Sequence, residues 1–143
     1  MPISRALPNQ ILIGYDIQSI KELQSKSALL SSPNFFSEYE RNYCLKKKEP
    51  TASFAGILCV KEAFIKAISG ISGIPYFTFS DFEVRHSYNG RPKVLLKGHI
   101  SQWCEARAID IDVSISHSGG FAAATVLLYI KGNVCEKGKL CEE

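Results

Sequence analysis

Two carboxylates and one lysine are the residues whose chemistry first needs an explanation. Asp16 lies within an apolar segment that alternates like a β-strand, where an acidic residue is unfavourable. Glu62 and Lys66 lie one turn apart on the same side of a long, mostly apolar helical segment. Charged groups beside a buried wall are often functional. On the residues alone, Asp16 could instead be a charge on an edge strand, and Glu62 and Lys66 an exposed ion pair. Both explanations stay open.

A second candidate is the segment Ser114–Ser118, in which serines flank a histidine. A serine beside a histidine suggests a hydrolase, but neighbouring residues on a strand such as Ser116 and His117 point to opposite faces. The chain also lacks a G-x-S-x-G motif at this point. Hydroxyl groups that bond to nearby backbone at the end of a strand are the simpler interpretation.

The strand that carries Asp16 has a clear period of two. Large apolar residues occupy the odd positions from Ile11 to Ile17, while Gly14 and Asp16 occupy even positions. We predict that the odd positions are buried and that Gly14 and Asp16 face the other way, where glycine leaves room for a close approach.

The remaining elements follow from capping residues, apolar stripes and turn residues. Ser19 and Glu22 form a capping-box pattern that starts a helix to about Leu30, and Ser37 caps a second helix that ends near the lysine run 46–48. The rest is predicted as a long helix over 52–69, a strand over 77–86, a tight turn over 88–91, a strand over 93–96, a helix over 99–107 and two final strands over 111–117 and 121–130.

These elements predict an α+β fold, in which a small antiparallel sheet packs with one long helix and shorter helices. The 143 residues, 45% hydrophobic and 22% charged, suit one globular domain, which we place at 1–131 with a loose polar tail at 132–143. No apolar run approaches the roughly 20 residues of a membrane span. Because residues 1–10 also lack the apolar core of a signal peptide, we expect a cytoplasmic protein without a membrane partner.

Composition also argues against two other classes of site. The net charge is +3, and the only tight basic cluster, 46–48, is typical of a solvated helix end, so we expect no nucleic-acid partner. The five cysteines form no C-x-x-C pair and have no histidine at zinc-finger spacing, so we expect no zinc site.

Taken in order, the segments resemble the holo-(acyl-carrier-protein) synthase family of the 4'-phosphopantetheinyl transferase superfamily. The resemblance spans residues 11 to about 130. It rests on the segments Ile13–Ile17, Phe54–Gly56, Val60–Ala67, Phe79–Val84, Asn89–Pro92, Val113–His117 and Ala122–Val126.

The resemblance implies a magnesium-dependent transferase. In this family, carboxylates equivalent to Asp16 and Glu62 bind one Mg²⁺, which holds the diphosphate of coenzyme A. A serine of an apo-acyl carrier protein attacks, and adenosine 3',5'-bisphosphate leaves. Lys66 corresponds to a lysine that stabilises charge on the transferred group. The catalytic residues would be Glu62 and Lys66, and the general base is either Glu62 or a metal-bound water.

The same resemblance implies a binding site for coenzyme A and an oligomer. Lys61 would contact phosphates, and further contacts would come from two segments, with the residues Asn89, Gly90, Arg91, Pro92, Ser116 and His117. Known members form trimers with each site between two subunits, so we expect a homotrimer.

Two departures from the family pattern motivate an alternative. An arginine is common in the helix after the aspartate, where this chain has Glu22, and an arginine–phenylalanine–alanine run is common where it has Ile57–Cys59. Without these two arginines, we expect weaker binding of phosphates or of an acidic carrier. The alternative function is therefore a catalytically impaired family member that only binds carrier proteins.

Overall fold

A three-stranded antiparallel sheet packed against one long helix forms the centre of the fold. The structure is a computed structural model that describes residues 9–132. Its elements in chain order are β1 (Gln10–Ser19), α1 (Ile20–Ser25), α2 (Glu38–Leu45), α3 (Pro50–Ile68), β2 (Phe82–His86), β3 (Pro92–Leu96), α4 (Gly98–Ala106), β4 (Ile109–Ser118) and β5 (Phe121–Ile130). The predicted tail over 132–143 lies outside the described residues beyond Gly132.

The sheet has the strand order β1-β5-β4, and β2 and β3 form a separate antiparallel hairpin. The apolar strand β5 takes the central place, where both of its edges are paired. Gly119 and Gly120 both have positive φ angles in the tight turn that joins β4 to β5. Helix α3 covers one face of the sheet, so the predicted α+β architecture is confirmed.

The prediction of which side of β1 is buried is wrong. Ile11, Ile13, Tyr15 and Ile17 are 54–64% exposed, whereas Gly14 and Asp16 are buried beneath α3. The period of two was correct, but hydrophobicity did not identify the face that meets the helix. That face is set by Gly14, because a helix backbone can come close to a strand only where no side chain intervenes.

At Gly14 the strand and the helix backbones meet. A Cβ atom built on Gly14 would lie 1.7 Å from the carbonyl oxygen of Ala63 and 2.7 Å from the amide nitrogen of Ala67. Both partners belong to backbone and cannot rotate away. Any side chain at this position would push β1 away from α3.

The boundaries of other elements differ most from the predictions in two places. Ser19 does cap α1, accepting a hydrogen bond from the Glu22 amide, but α1 ends at Ser25 and a short 3₁₀ turn follows over Ser27–Ser31. The predicted strand over 77–86 begins only at Phe82, because Phe79–Asp81 forms a 3₁₀ turn. Within residues 9–132, no helix combines the length and the apolar content that crossing a membrane requires.

We expect Gly14→Ala to lower the free energy of unfolding by about 3 kcal/mol, because its new methyl group overlaps the α3 backbone. Urea denaturation followed by circular dichroism measures the change. The matched control is Gly70→Ala, since a Cβ at Gly70 meets nothing within 4 Å. Equal stability of the two variants would contradict the close approach.

Candidate active site

The fold brings together Asp16 and Lys66, which are 50 residues apart in the chain. Lys66 Nζ donates to Asp16 Oδ1 at 3.0 Å, and the side chain of Asp16 is only 11% exposed. The other carboxylate oxygen, Oδ2, accepts a hydrogen bond from Gln18 Nε2 at 2.8 Å. Both oxygens therefore have a donor, and the carboxylate is held in one orientation.

Gln18 is a residue of this site that the sequence analysis missed. It lies two positions after Asp16, so the strand period places both on the same face of β1. That spacing was the available signal, but a glutamine beside an aspartate has no distinctive pattern by itself.

Glu62 completes the cluster from α3, one turn before Lys66. Burial raises the pKa of the Glu62 carboxyl, the negative charge of Asp16 raises it further, and Lys66 opposes both effects. The two carboxylates are thus near enough to repel each other, although Lys66 lies beside them. A cation bound between them would remove this repulsion.

The donor set of this cluster fits a magnesium ion. Within residues 9–132, no group of three or more histidine, cysteine, aspartate or glutamate side chains could hold a metal. The cluster itself offers two carboxylates. Mg²⁺ takes oxygen ligands and is usually bound through one or two carboxylates together with substrate phosphates and water. Asp16 and Glu62 would supply the carboxylates.

Lys61 lies elsewhere, and its burial argues against the predicted contact with coenzyme A. Its side chain is fully buried, and Nζ donates to Glu40 Oε1 at 2.8 Å and to the carbonyl oxygen of Phe35 at 2.7 Å. Glu40 in turn accepts the backbone amide of Val84 through Oε2 at 2.8 Å. Burial lowers the pKa of Lys61, and the charge of Glu40 opposes this shift. An ammonium enclosed in this way cannot reach a ligand at the surface.

A second feature is an open cavity of about 820 Å³ between the β4–β5 turn and the start of α3. His117, Lys47 and Lys48 are among its lining residues. His117 Nε2 lies 2.9 Å from the carbonyl oxygen of Ala52. Because a carbonyl only accepts hydrogen bonds, Nε2 is the donor, and Nδ1 takes no part in this bond.

The lysines of this cavity were not recognised from the sequence as site residues. The run 46–48 was interpreted as a solvated helix end, and the three side chains are indeed exposed. The run also precedes the first turn of α3, whose free amide groups favour anions. Lysines beside the start of a long helix were therefore a usable signal for an anion site.

The other predicted binding residues lie apart from the Asp16 cluster. Ser116 alternates with His117 and lies on the opposite face of the sheet. The turn with Asn89 and Gly90 joins β2 to β3, and Arg91 pairs with Asp112 of β4 at 3.1 Å, next to Pro92. None of these residues lines the cavity that contains His117.

Comparison with known proteins identifies the family. The family model described as the 4'-phosphopantetheinyl transferase superfamily matches residues 12–126. The chain belongs to this superfamily. The phosphopantetheinyl transferase match includes β1, α3 and β4, the three elements that carry Asp16, Glu62, Lys66 and His117.

Individual members of the superfamily match most of the chain. A holo-(acyl-carrier-protein) synthase of Caldanaerobacter subterraneus subsp. tengcongensis is 32% identical over 82% of this chain and 94% of its own length. One from Chlamydia pneumoniae is 35% identical over 82% and 95%. Among solved structures, the ACPS–CoA complex of Chronobacterium ammoniagenes matches with a TM-score of 0.71 and 31% identity, and covers 85% of this chain and 98% of that one.

We expect Lys61→Met to lower the free energy of unfolding by about 3–5 kcal/mol, because it leaves the buried Glu40 carboxylate without its cation. Urea denaturation measures the loss. Lys21→Met, at an exposed helical lysine, is the control and should change stability by about 0.5 kcal/mol or less. A stable Lys61→Met protein with weakened binding of coenzyme A would instead restore the prediction made from the sequence.

Proposed function

We propose that the chain transfers the 4'-phosphopantetheine group of coenzyme A to a serine of an apo-acyl carrier protein. The observation that carries this proposal is the cluster of Asp16, Glu62 and Lys66, which joins two carboxylates and a lysine from distant segments. Relatives that match nearly their whole length are holo-(acyl-carrier-protein) synthases, which supports the same reaction. The cytoplasmic location stays a prediction from the sequence.

In the proposed reaction, the serine oxygen replaces the bridging oxygen of the coenzyme A diphosphate. The serine hydroxyl oxygen forms a bond to the phosphorus that bears pantetheine, and the bond from that phosphorus to the bridging oxygen breaks. Adenosine 3',5'-bisphosphate leaves with the bridging oxygen and its electron pair. The serine proton passes to Glu62 or to water. The ammonium of Lys66, which is half exposed beside Asp16, stabilises negative charge on the transferred phosphoryl group.

Asp16 and Glu62 would hold a magnesium ion in this proposal. When bound, the ion neutralises charge on the diphosphate and favours its displacement. Gln18 orients the site for the ion, because its hydrogen bond to Oδ2 fixes the orientation of the Asp16 carboxylate. The raised pKa of Glu62 has a further consequence. The carboxyl keeps its proton to a higher pH than an ordinary glutamate, so cation binding weakens sooner as pH falls.

The cavity at the start of α3 is the proposed site for the phosphates of coenzyme A. Lys47 and Lys48 give it two cationic side chains, and Nδ1 of His117 can donate to an anion when both ring nitrogens carry a proton. The Chronobacterium ammoniagenes relative has been solved as a CoA complex, which supports a site for this donor. His117 keeps its predicted role, and Lys47 and Lys48 replace Lys61.

We also propose the homotrimer, for which the exposed face of β1 offers a contact surface. Ile11, Ile13, Tyr15 and Ile17 form an apolar strip on the side of the sheet that α3 does not cover, and large exposed apolar areas mark interaction sites. Ser116 lies on this same face. A site between subunits would let Ser116 and the Asn89–Pro92 segment act in the assembly, although one chain does not bring them to the cavity.

We expect a phosphopantetheine-sized mass gain on an apo-acyl carrier protein incubated with the protein, coenzyme A and Mg²⁺. Asp16→Asn and Glu62→Gln should each reduce the rate by about 100-fold or more, because each removes a charge from the metal site. Lys66→Met should reduce it by on the order of 100-fold, through loss of charge stabilisation. Mass spectrometry of the carrier measures all three rates.

The matched control is Glu22→Gln, which removes a nearby carboxylate outside the cluster and should leave transfer close to that of the unmodified protein. Glu22 and Glu62 line the same small cavity next to α1. Wild-type rates for Asp16→Asn and Glu62→Gln would refute the metal assignment. Carrier binding without any mass gain, measured by calorimetry, would favour the alternative of an impaired carrier-binding member.

We expect the chain to sediment as a trimer and Ile13→Glu to sediment as a monomer, because a carboxylate cannot be buried unpaired in an apolar interface. Analytical ultracentrifugation measures the mass. Leu95→Glu is the control, since Leu95 is exposed on the separate β2–β3 hairpin. A trimer that survives Ile13→Glu would show that this face is not the interface.

A further inference from the structure

Lys47 differs from the other lysine of the cavity in what lies beneath it. Its Nζ is 4.5 Å from the centroid of the Tyr43 ring, a cation–π contact, and within residues 9–132 no such contact involves Lys48. Tyr43 is stacked on His86, with the ring centroids 3.9 Å apart and the planes 3° apart. Because His86 is stacked so closely on one face of Tyr43, that face has no room for an ammonium. Lys47 therefore lies over the opposite face of the Tyr43 ring.

The stack ties α2 to β2. Lys47 follows the end of α2, Tyr43 lies in the last turn of that helix, and His86 is the last residue of β2. The ring of Tyr43 is thus fixed from below by a separate part of the fold. It offers a fixed negative ring face to Lys47, which lines the cavity.

His86 supports this arrangement without adding a competing charge. Its Nδ1 is buried and has no hydrogen-bond partner, so stacking and burial, not a bond from that nitrogen, hold the ring. Burial lowers the pKa of His86, and the charge of Lys47 lowers it further. The imidazole is therefore neutral at pH 7 and does not repel the ammonium of Lys47.

We propose that Tyr43 is a positioning residue that holds the ammonium of Lys47 at the cavity rim, ready for a phosphate group of the donor. An exposed lysine has several rotatable bonds, and binding an anion costs the freedom of those that are not already restricted. The ring face restricts them in advance. The inference rests on the proposed function, because the phosphate that Lys47 meets there belongs to coenzyme A.

The test compares the ring with an apolar side chain that has no ring. Calorimetry should give Tyr43→Leu a Kd for coenzyme A that is about two- to fivefold higher than that of the wild type, the change expected from one exposed cation–π contact. Tyr43→Phe keeps the ring face and should restore the wild-type Kd. In the transfer assay, the loss should fall on the KM for coenzyme A and not on kcat.

A double variant separates positioning from general support of the fold. Tyr43→Leu should have no effect on affinity when Lys47→Met is already present, because the ring then has no ammonium to hold. An equal loss in both backgrounds, or an equal loss in Tyr43→Phe and Tyr43→Leu, would overturn the inference. Tyr43→Met provides the comparison if Tyr43→Leu does not fold, which thermal melting would reveal.

Binding measurements on the wild-type protein distinguish a failure of the role of Tyr43 from a failure of the proposed function. If the wild-type protein binds neither coenzyme A nor adenosine 3',5'-bisphosphate, the donor site itself is wrong and the inference falls with it. If the wild type binds both and Tyr43→Leu binds both equally well, the donor site stands and only the role of Tyr43 is refuted.

Discussion

The contact between the backbones of β1 and α3 at Gly14 is the constraint on which the rest of the site depends. Two residues later the same strand carries Asp16, and the helix carries Glu62 immediately before Ala63, the residue whose carbonyl Gly14 approaches. A carboxylate, a second carboxylate and an ammonium can meet only because no side chain separates the two elements here. The absence of a Cβ at one position therefore determines the distances between groups from segments about 50 residues apart.

Two neighbouring residues of α3, Lys61 and Glu62, have different roles: one stabilises the fold and the other belongs to the site. Glu62 is half-buried beside Asp16, while Lys61 is enclosed with Glu40 and backbone carbonyls on another side of the helix. The buried pair joins α3 to α2, and the bond from the Val84 amide extends the connection to β2. Such a pair fixes the rotation of α3 about its axis, and this rotation decides where Glu62 and Lys66 point. A charge next to the site can thus be structural.

Much of the fold could be predicted because the local rules agree with the tertiary structure. The Ser37 cap, the long helix and the final strand 121–130 all appear as expected. The burial of β1 could not be predicted, because most of its large apolar side chains lie on the exposed face and the choice depends on where the helix approaches. The environment of Lys61 could not be predicted either, because its partner Glu40 lies on a different helix. The resemblance to a family indicated Asp16, Glu62 and Lys66 together, which spacing alone did not.

The strip from Ile11 to Ile17 also affects how the chain behaves as a single subunit. β1 lies at the edge of its sheet, so a lone subunit exposes unpaired backbone groups together with four large apolar side chains. Strand edges of this kind pair readily with other chains, and every newly synthesised chain exposes the same unpaired edge. If this strip is the trimer interface that we propose, aggregation and assembly compete for one surface. The yield of native protein during overexpression should depend on the rate of synthesis as well as on folding stability.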